Sequence, residues 1–182
     1  MRFMATVTGL TIEEFEQLPD VLAQNHELVD GELVDVSGNT GGHNKLRDVL
    51  VEVLRPFVRQ HKLGLIVSEQ EFQFDRNAHG PDVSFLGPAA AELFDDRLRV
   101  QLFVPDVAVE IASKNDRFES LFAKAYRYRD CGTKEVYVFS IATRQVFVCS
   151  QHPIIVLGES QTFSPHQIPG FSIRISDLFA MM

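Results

Sequence analysis

VPDVAVEIAS, residues 104–113, carries a charge in the middle of an otherwise apolar, β-branched run. Successive side chains of a strand point to opposite faces. Val107, Val109 and Ile111 therefore form a core face, and Asp106, Ala108, Glu110 and Ala112 share the other. A half-buried glutamate costs free energy unless a cation or a donor compensates it. The alanines on either side of Glu110 leave room for a hydrated ion. Asp106 cannot share that ion, because four residues of strand span about 13 Å; it reads as structural.

Glu110 needs a partner from another strand, and PDVSFL, residues 81–86, offers one. Asp82 shares a face with Ser84 while Val83 and Phe85 point the other way. If the two strands are neighbours, Asp82 and Glu110 meet at one end of the sheet. Paired oxygen ligands with space for water suit Mg²⁺ or Mn²⁺, and the chemistry such an ion supports is attack of water on a phosphodiester.

The remaining elements are read outward from this pair. A helix is expected over about 117–130, closed by Cys131-Gly132 with glycine in its favoured C-terminal role. KEVYVFS and RQVFVCS follow as strands joined by a tight turn, and IPGFSIRISDLF, residues 168–179, as a last strand and a turn of helix. Upstream, Thr11 and Glu14 form a capping box, which opens a short helix ending before Pro19. HELVDGELVDV, residues 26–36, is a hairpin around Asp30-Gly31, a pair suited to positive φ. After the loop SGNTGG, a stripe of Leu46, Val49, Leu50, Val53, Leu54, Phe57 and Val58 predicts a helix over 43–61, with a kink or break at Pro56. Residues 64–74 read as strand, and AAAELFDD, residues 89–96, as loop with a short helix. This order predicts an α/β (α+β) fold, a mixed central β-sheet flanked by helices.

The 182 residues, 45% hydrophobic, suffice for one core, and without a linker or repeat a single domain over 1–182 is expected. No stretch approaches a membrane span, and MRFMATVTGL lacks the long apolar segment of a secretory signal. Cys131 and Cys149 are isolated, which argues against a disulfide scaffold or Cys/His zinc site and fits a cytoplasmic location. A net charge of −8 argues against a generic, salt-driven nucleic-acid binder. It leaves open an enzyme that gathers acids around a metal and keeps a local basic strip. Arg47, Arg55 and Arg59 form one candidate strip; Arg117, Lys124, Arg127 and Arg129 form another.

Taken in order, these segments resemble the Uma-two family of restriction-endonuclease-like proteins, within the PD-(D/E)XK nuclease superfamily. The resemblance runs from TIEEF through HELVDGEL, His43, PDVSF, PDVAVEIAS, the Asp116-Arg117 helix start, Lys124 and GTKEVYVF to PGFSIRISDLF. It implies a restriction-endonuclease-like core and a Mg²⁺-dependent (or Mn²⁺-dependent) endonuclease that acts on nucleic acid, DNA being the expected substrate, as a homodimer. By the same resemblance Asp82 is the first acidic ligand, Glu110 the second, and the backbone carbonyl of Ile111 a further ligand. The superfamily lysine stands two residues after the glutamate, where this chain has Ala112. The resembling family draws its lysine from the next helix, which maps to Lys124, there to hold the attacking water or stabilise phosphate charge. Glu27 and His43 also match family positions. Glu27 would be an accessory ligand, directly or through water, and His43 would contact phosphate or carry a proton.

Bland readings stand beside these. Asp82 after a proline is often a turn residue, Glu27 can pair across strands, and Lys124 on a helix flank is normally solvated. Ala112 and the acidic charge also motivate a second function, a nuclease-like fold serving as a binding or assembly module without catalysis. Nothing in the residues separates DNA from RNA.

Overall fold

A computed structural model describes residues 9–36, 38–113, 117–150 and 152–182. Asp116 of the expected helix start, Ser37 of the SGNTGG loop and most of the N-terminal stretch read for a signal lie outside the described residues. Among the described residues the helices are Ile12–Glu16 (α1), Asp20–Ala23 (α2), Gly41–Gln60 (α3), Pro88–Leu93 (α4), Phe118–Asp130 (α5) and Ile175–Ala180 (α6). The strands are His26–Val29 (β1), Glu32–Asp35 (β2), Leu65–Ser68 (β3), Glu71–Phe74 (β4), Asn77–His79 (β5), Val83–Leu86 (β6), Val100–Gln101 (β7), Val107–Ala112 (β8), Glu135–Ser140 (β9), Gln145–Val148 (β10), Ile155–Leu157 (β11), Thr162–Phe163 (β12) and Ile173–Arg174 (β13).

The central sheet has the order β11-β10-β9-β8-β6-β3, with β8 and β9 parallel and the other neighbours antiparallel. A second sheet runs β2-β1-β5-β4-β7, and β12 pairs with β13. Side-chain alternation in β8 divides the interior as the sequence predicts. Val107, Val109 and Ile111 pack with Leu46, Leu50 and Leu54 of α3 and with Leu178 of α6. Ala108 and Ala112 face Leu121, Ala125 and Tyr128 of α5, together with Phe72 and Phe74 of the second sheet. Helix α5 thus lies between the two sheets. The far face of the second sheet, with Leu28 and Ala78, is closed by Ile12 and Phe15 of α1. Each such large apolar side chain contributes about 1.5–3 kcal/mol on burial.

Local chemistry accounts for the element ends. The Thr11–Glu14 capping box forms in both directions, and Asp30 and Gly31 take φ of 51° and 84° in the β1–β2 turn. Helix α3 starts two residues earlier than the apolar stripe suggests, because the Thr40 hydroxyl caps it by accepting from the His43 amide. It also runs through Pro56 rather than breaking there. The carbonyl that Pro56 cannot serve belongs to Glu52, which is exposed and open to water. Two elements go beyond the sequence reading. Pro19 ends one helix and also starts the next, α2, and residues 75–76 turn the chain back into β5. No helix among the described residues is long and apolar enough to cross a membrane.

Candidate active site

Strands β6 and β8 are antiparallel neighbours with Val83 opposite Val109 and Ser84 opposite Ala108. One further step of that register sets Asp82 against Glu110, both on the α5 face of the sheet. Directly opposed residues of this kind have Cβ atoms about 4.5–5.5 Å apart. Both acids are nearly enclosed, at 8% and 5% exposure, and both line one cleft with Glu27, His43, Glu71, Arg117 and Lys124.

Each carboxylate has specific partners. Asp82 Oδ2 accepts from the backbone N–H of Ile111 at 2.7 Å, and Asp82 Oδ1 lies 3.1 Å from His43 Nε2. Burial alone would lower the His43 pKa, but the bond to Asp82 and its charge outweigh burial and raise it. Glu110 Oε1 accepts from the Tyr128 hydroxyl at 2.6 Å and stands 3.1 Å from Lys124 Nζ. Burial pushes the Glu110 carboxyl well above its usual range; Lys124 opposes this, and Asp82 and Glu27 add to it.

Lys124 comes from the middle of α5, with Tyr128 one turn further on. Its Nζ bridges Glu110 and Glu27, 2.8 Å from Glu27 Oε1. Burial disfavours its charge, yet the two carboxylates raise its pKa above the ordinary lysine value. Glu27 belongs to β1 of the second sheet, so this contact joins the sheets through the helix between them. Glu27 Oε1 also accepts from the Gly80 amide at 2.9 Å, and Oε2 lies 2.9 Å from His79 Nδ1. Burial would raise the Glu27 pKa, but Lys124 and His79 prevail and hold it at about 2.

The structure therefore brings Asp82, Glu110, Lys124, Glu27 and His43 to one place, with Ile111 in the cleft wall. Asp106 stands apart, where it accepts from Gly87 and pairs with Lys134. Of the basic strips, Arg47 and Arg117 join Lys124 in the cleft lining; Arg55 instead donates to the Ile66 carbonyl and Arg129 pairs with Asp130. Tyr128 and His79 went unassigned from sequence, and Arg127, read as part of a basic strip, meets His79 instead of lining the cleft. The one usable signal was the four-residue spacing of Lys124 and Tyr128, which places both on one helix face.

An antiparallel strand pair that sets two acids side by side, followed by a helical crossover to a parallel strand, fits a restriction-endonuclease-like core, with the lysine here supplied by the crossover helix. Residues 12–176 match the Uma2 family, described as "Putative restriction endonuclease", and the chain belongs to that family. Among solved structures it is similar to "a putative nuclease belonging to DUF820 from Anabaena variabilis ATCC 29413", with a TM-score of 0.82 and 20% identity over 95% of this chain and 99% of that one. That likeness shows the fold. No curated protein matches the chain.

Proposed function

We propose that the protein is an endonuclease that uses Mg²⁺ or Mn²⁺ to hydrolyse phosphodiester bonds, with DNA as substrate. The observation that carries this reading is the meeting of Asp82 and Glu110 from neighbouring strands beside a lysine at one cleft. The family and the nuclease-like fold support it.

The donor chemistry fits a hard divalent cation. Asp82, Glu110 and the Ile111 carbonyl are the residues that would hold it. Among the described residues no group of three His, Cys, Asp or Glu side chains forms a ready metal cluster. An ion held by two carboxylates and a carbonyl keeps several waters, which is the coordination Mg²⁺ favours. A bound ion would lower the pKa of attacking water and neutralise phosphate charge.

The chain's own groups do the rest. Lys124 donates hydrogen bonds to the attacking water or to a phosphate oxygen. His43 has an amide capped by Thr40 and a ring whose Nε2 faces Asp82, so it orients the Asp82 carboxylate and shares a proton with it. Glu27 serves as the fixed counter-ion of Lys124. Work as a homodimer, as one domain over 1–182 and in the cytoplasm completes the proposal, on the family resemblance and the composition.

Incubation of supercoiled plasmid with Mg²⁺ or Mn²⁺ tests this, comparing wild type with Asp82→Asn, Glu110→Gln and Lys124→Met. Nicking by wild type and its loss in the first two variants is expected; equal rates in all would overturn the assignment. The second reading, a non-catalytic binding or assembly module, draws on Ala112 at the superfamily lysine position and on Lys124 already occupying Glu110. Mn²⁺ uptake without cleavage of DNA or RNA would favour it.

A further inference from the structure

Behind Lys124 lies a chain of polar contacts whose donors and acceptors can be ordered without ambiguity. Arg127 Nη1 is 3.0 Å from His79 Nε2. A guanidinium only donates, so Nε2 must present its lone pair. The proton of the neutral ring is then on Nδ1, which lies 2.9 Å from Glu27 Oε2 and donates to it. Glu27 passes the order on by accepting from Lys124. At the outer end Arg127 faces Asp30 of the β1–β2 turn at 3.9 Å, and Asp30 is also held by Arg76 at 2.8 Å.

The ring of His79 is 3% exposed and is packed against aromatic neighbours. Its centroid is 5.7 Å from that of Tyr128 and 6.0 Å from that of Phe74, so aromatic rings flank it on two sides. Arg127, Lys124 and Tyr128 occupy one stretch of α5, while Glu27 and His79 come from two neighbouring strands of the second sheet. One helix face is thus held against one sheet by a directed series of hydrogen bonds, and Lys124 is its inner end.

From this geometry we propose that His79 and Arg127 are positioning residues. They fix one tautomer of His79, which orients the Glu27 carboxylate, which in turn holds the Lys124 ammonium beside Glu110. Neither residue touches the cleft acids Asp82 or Glu110, and both act through Glu27. The role in turnover rests on the proposed hydrolysis, whereas the positioning itself does not.

The deciding experiment is nuclear magnetic resonance on the full chain at pH 7. In ¹⁵N-histidine-labelled protein His79 is expected to be neutral, protonated at Nδ1 and bare at Nε2. The Lys124 ammonium is expected to give an observable, slowly exchanging signal. His79→Phe keeps a ring against Tyr128 but removes the donor, and should abolish the slowly exchanging Lys124 signal. His79→Asn, whose amide N–H replaces Nδ1–H, should restore slow exchange. Arg127→Met should allow the Nε2–H tautomer and serves as the second variant where His79→Phe does not fold. An Nε2–H ring in wild type, or Lys124 exchange unchanged in both His79→Phe and Arg127→Met, overturns the proposal. In the plasmid assay the same variants should lose kcat by about 10–100-fold with KM little altered. A wild type that cleaves nothing refutes the hydrolase reading alone, because the resonance measurements still decide whether Lys124 is positioned.

Discussion

Asp82 on the edge of β6 accepts the backbone N–H of Ile111 on β8 at 2.7 Å, and Ile111 directly follows Glu110. A single peptide unit therefore sets the distance between the two acids. Asp82→Ala would leave that buried N–H without its acceptor, at a cost of about 1–3 kcal/mol. Asp82→Asn keeps an acceptor oxygen and should stay within about 1 kcal/mol of wild type. Urea unfolding midpoints separate the two, while both should lose plasmid cleavage by about 100-fold or more.

Lys124 is enclosed between Glu27 and Glu110. Lys124→Met leaves two buried carboxylates without their shared cation, though Gly80, His79 and Tyr128 still donate to them, and a loss of about 3 kcal/mol is expected at pH 8. The loss should shrink toward pH 5. The Glu110 pKa is raised by burial above its unfolded value, and without Lys124 it rises further. The neutral acid therefore stabilises the folded variant at low pH, and that contribution disappears as pH rises. Denaturant titrations at the two pH values check the sign.

Tyr128→Phe removes the 2.6 Å hydrogen bond to Glu110 but keeps the ring stacked on Phe74 at 4.1 Å between centroids. A bond to a charged group of this kind contributes about 1.5–3 kcal/mol. That bond favours the ionised carboxylate, so Glu110 should hold its proton to higher pH in the variant. Protons and metal compete for the same oxygens. Calorimetric titration with Mn²⁺ should show a larger affinity loss at pH 6 than at pH 8; equal losses would count against Glu110 as a ligand.

Glu71 offers a pH test aimed at stability rather than cleavage. One of its carboxylate oxygens is buried with no hydrogen-bond partner among the described residues. Burial raises its pKa from 4.5 to about 8, with Arg99 opposing and Glu27 and Glu16 adding. A raised folded pKa favours folding below pH 4.5, and this advantage is lost as pH climbs toward 8. Glu71→Gln should therefore flatten the fall in stability over that window and make the protein roughly 1–3 kcal/mol more stable at pH 8, after allowance for partial exposure. Thermal melts across the pH range read it.

The central sheet was legible because alternation in β6 and β8 is strict. The same parity that sends Val83 and Val109 to one core sends Asp82 and Glu110 to the other face. The Asp30-Gly31 turn was legible because both residues tolerate the positive φ they adopt. By contrast β5 was hidden. Its turn, Asp75-Arg76, has no glycine, although Asp75 takes a φ of 55°, and a three-residue strand shows no periodicity. His79 was lost with it. The charge pattern placed Lys124 in a basic strip, but only the family resemblance set it and Glu27 at the site, because their meeting depends on how the second sheet packs over α5. That is a tertiary fact with no local signature. His43 was visible as a helix-start residue, but its bond to Asp82 depends on α3 beginning beside the start of β6, an interior strand of the central sheet.

The parallel pairing of β8 with β9 requires the chain to cross over between them, and α5 is that crossover. Position 112 ends the strand that carries Glu110, and position 124 lies on the crossover helix whose lysine reaches that same glutamate. A positive charge can therefore migrate from strand to crossover with the surrounding architecture untouched. A search along the chain for a fixed string of letters would pass over such a protein, whereas a search in space for an ammonium beside two carboxylates would find it.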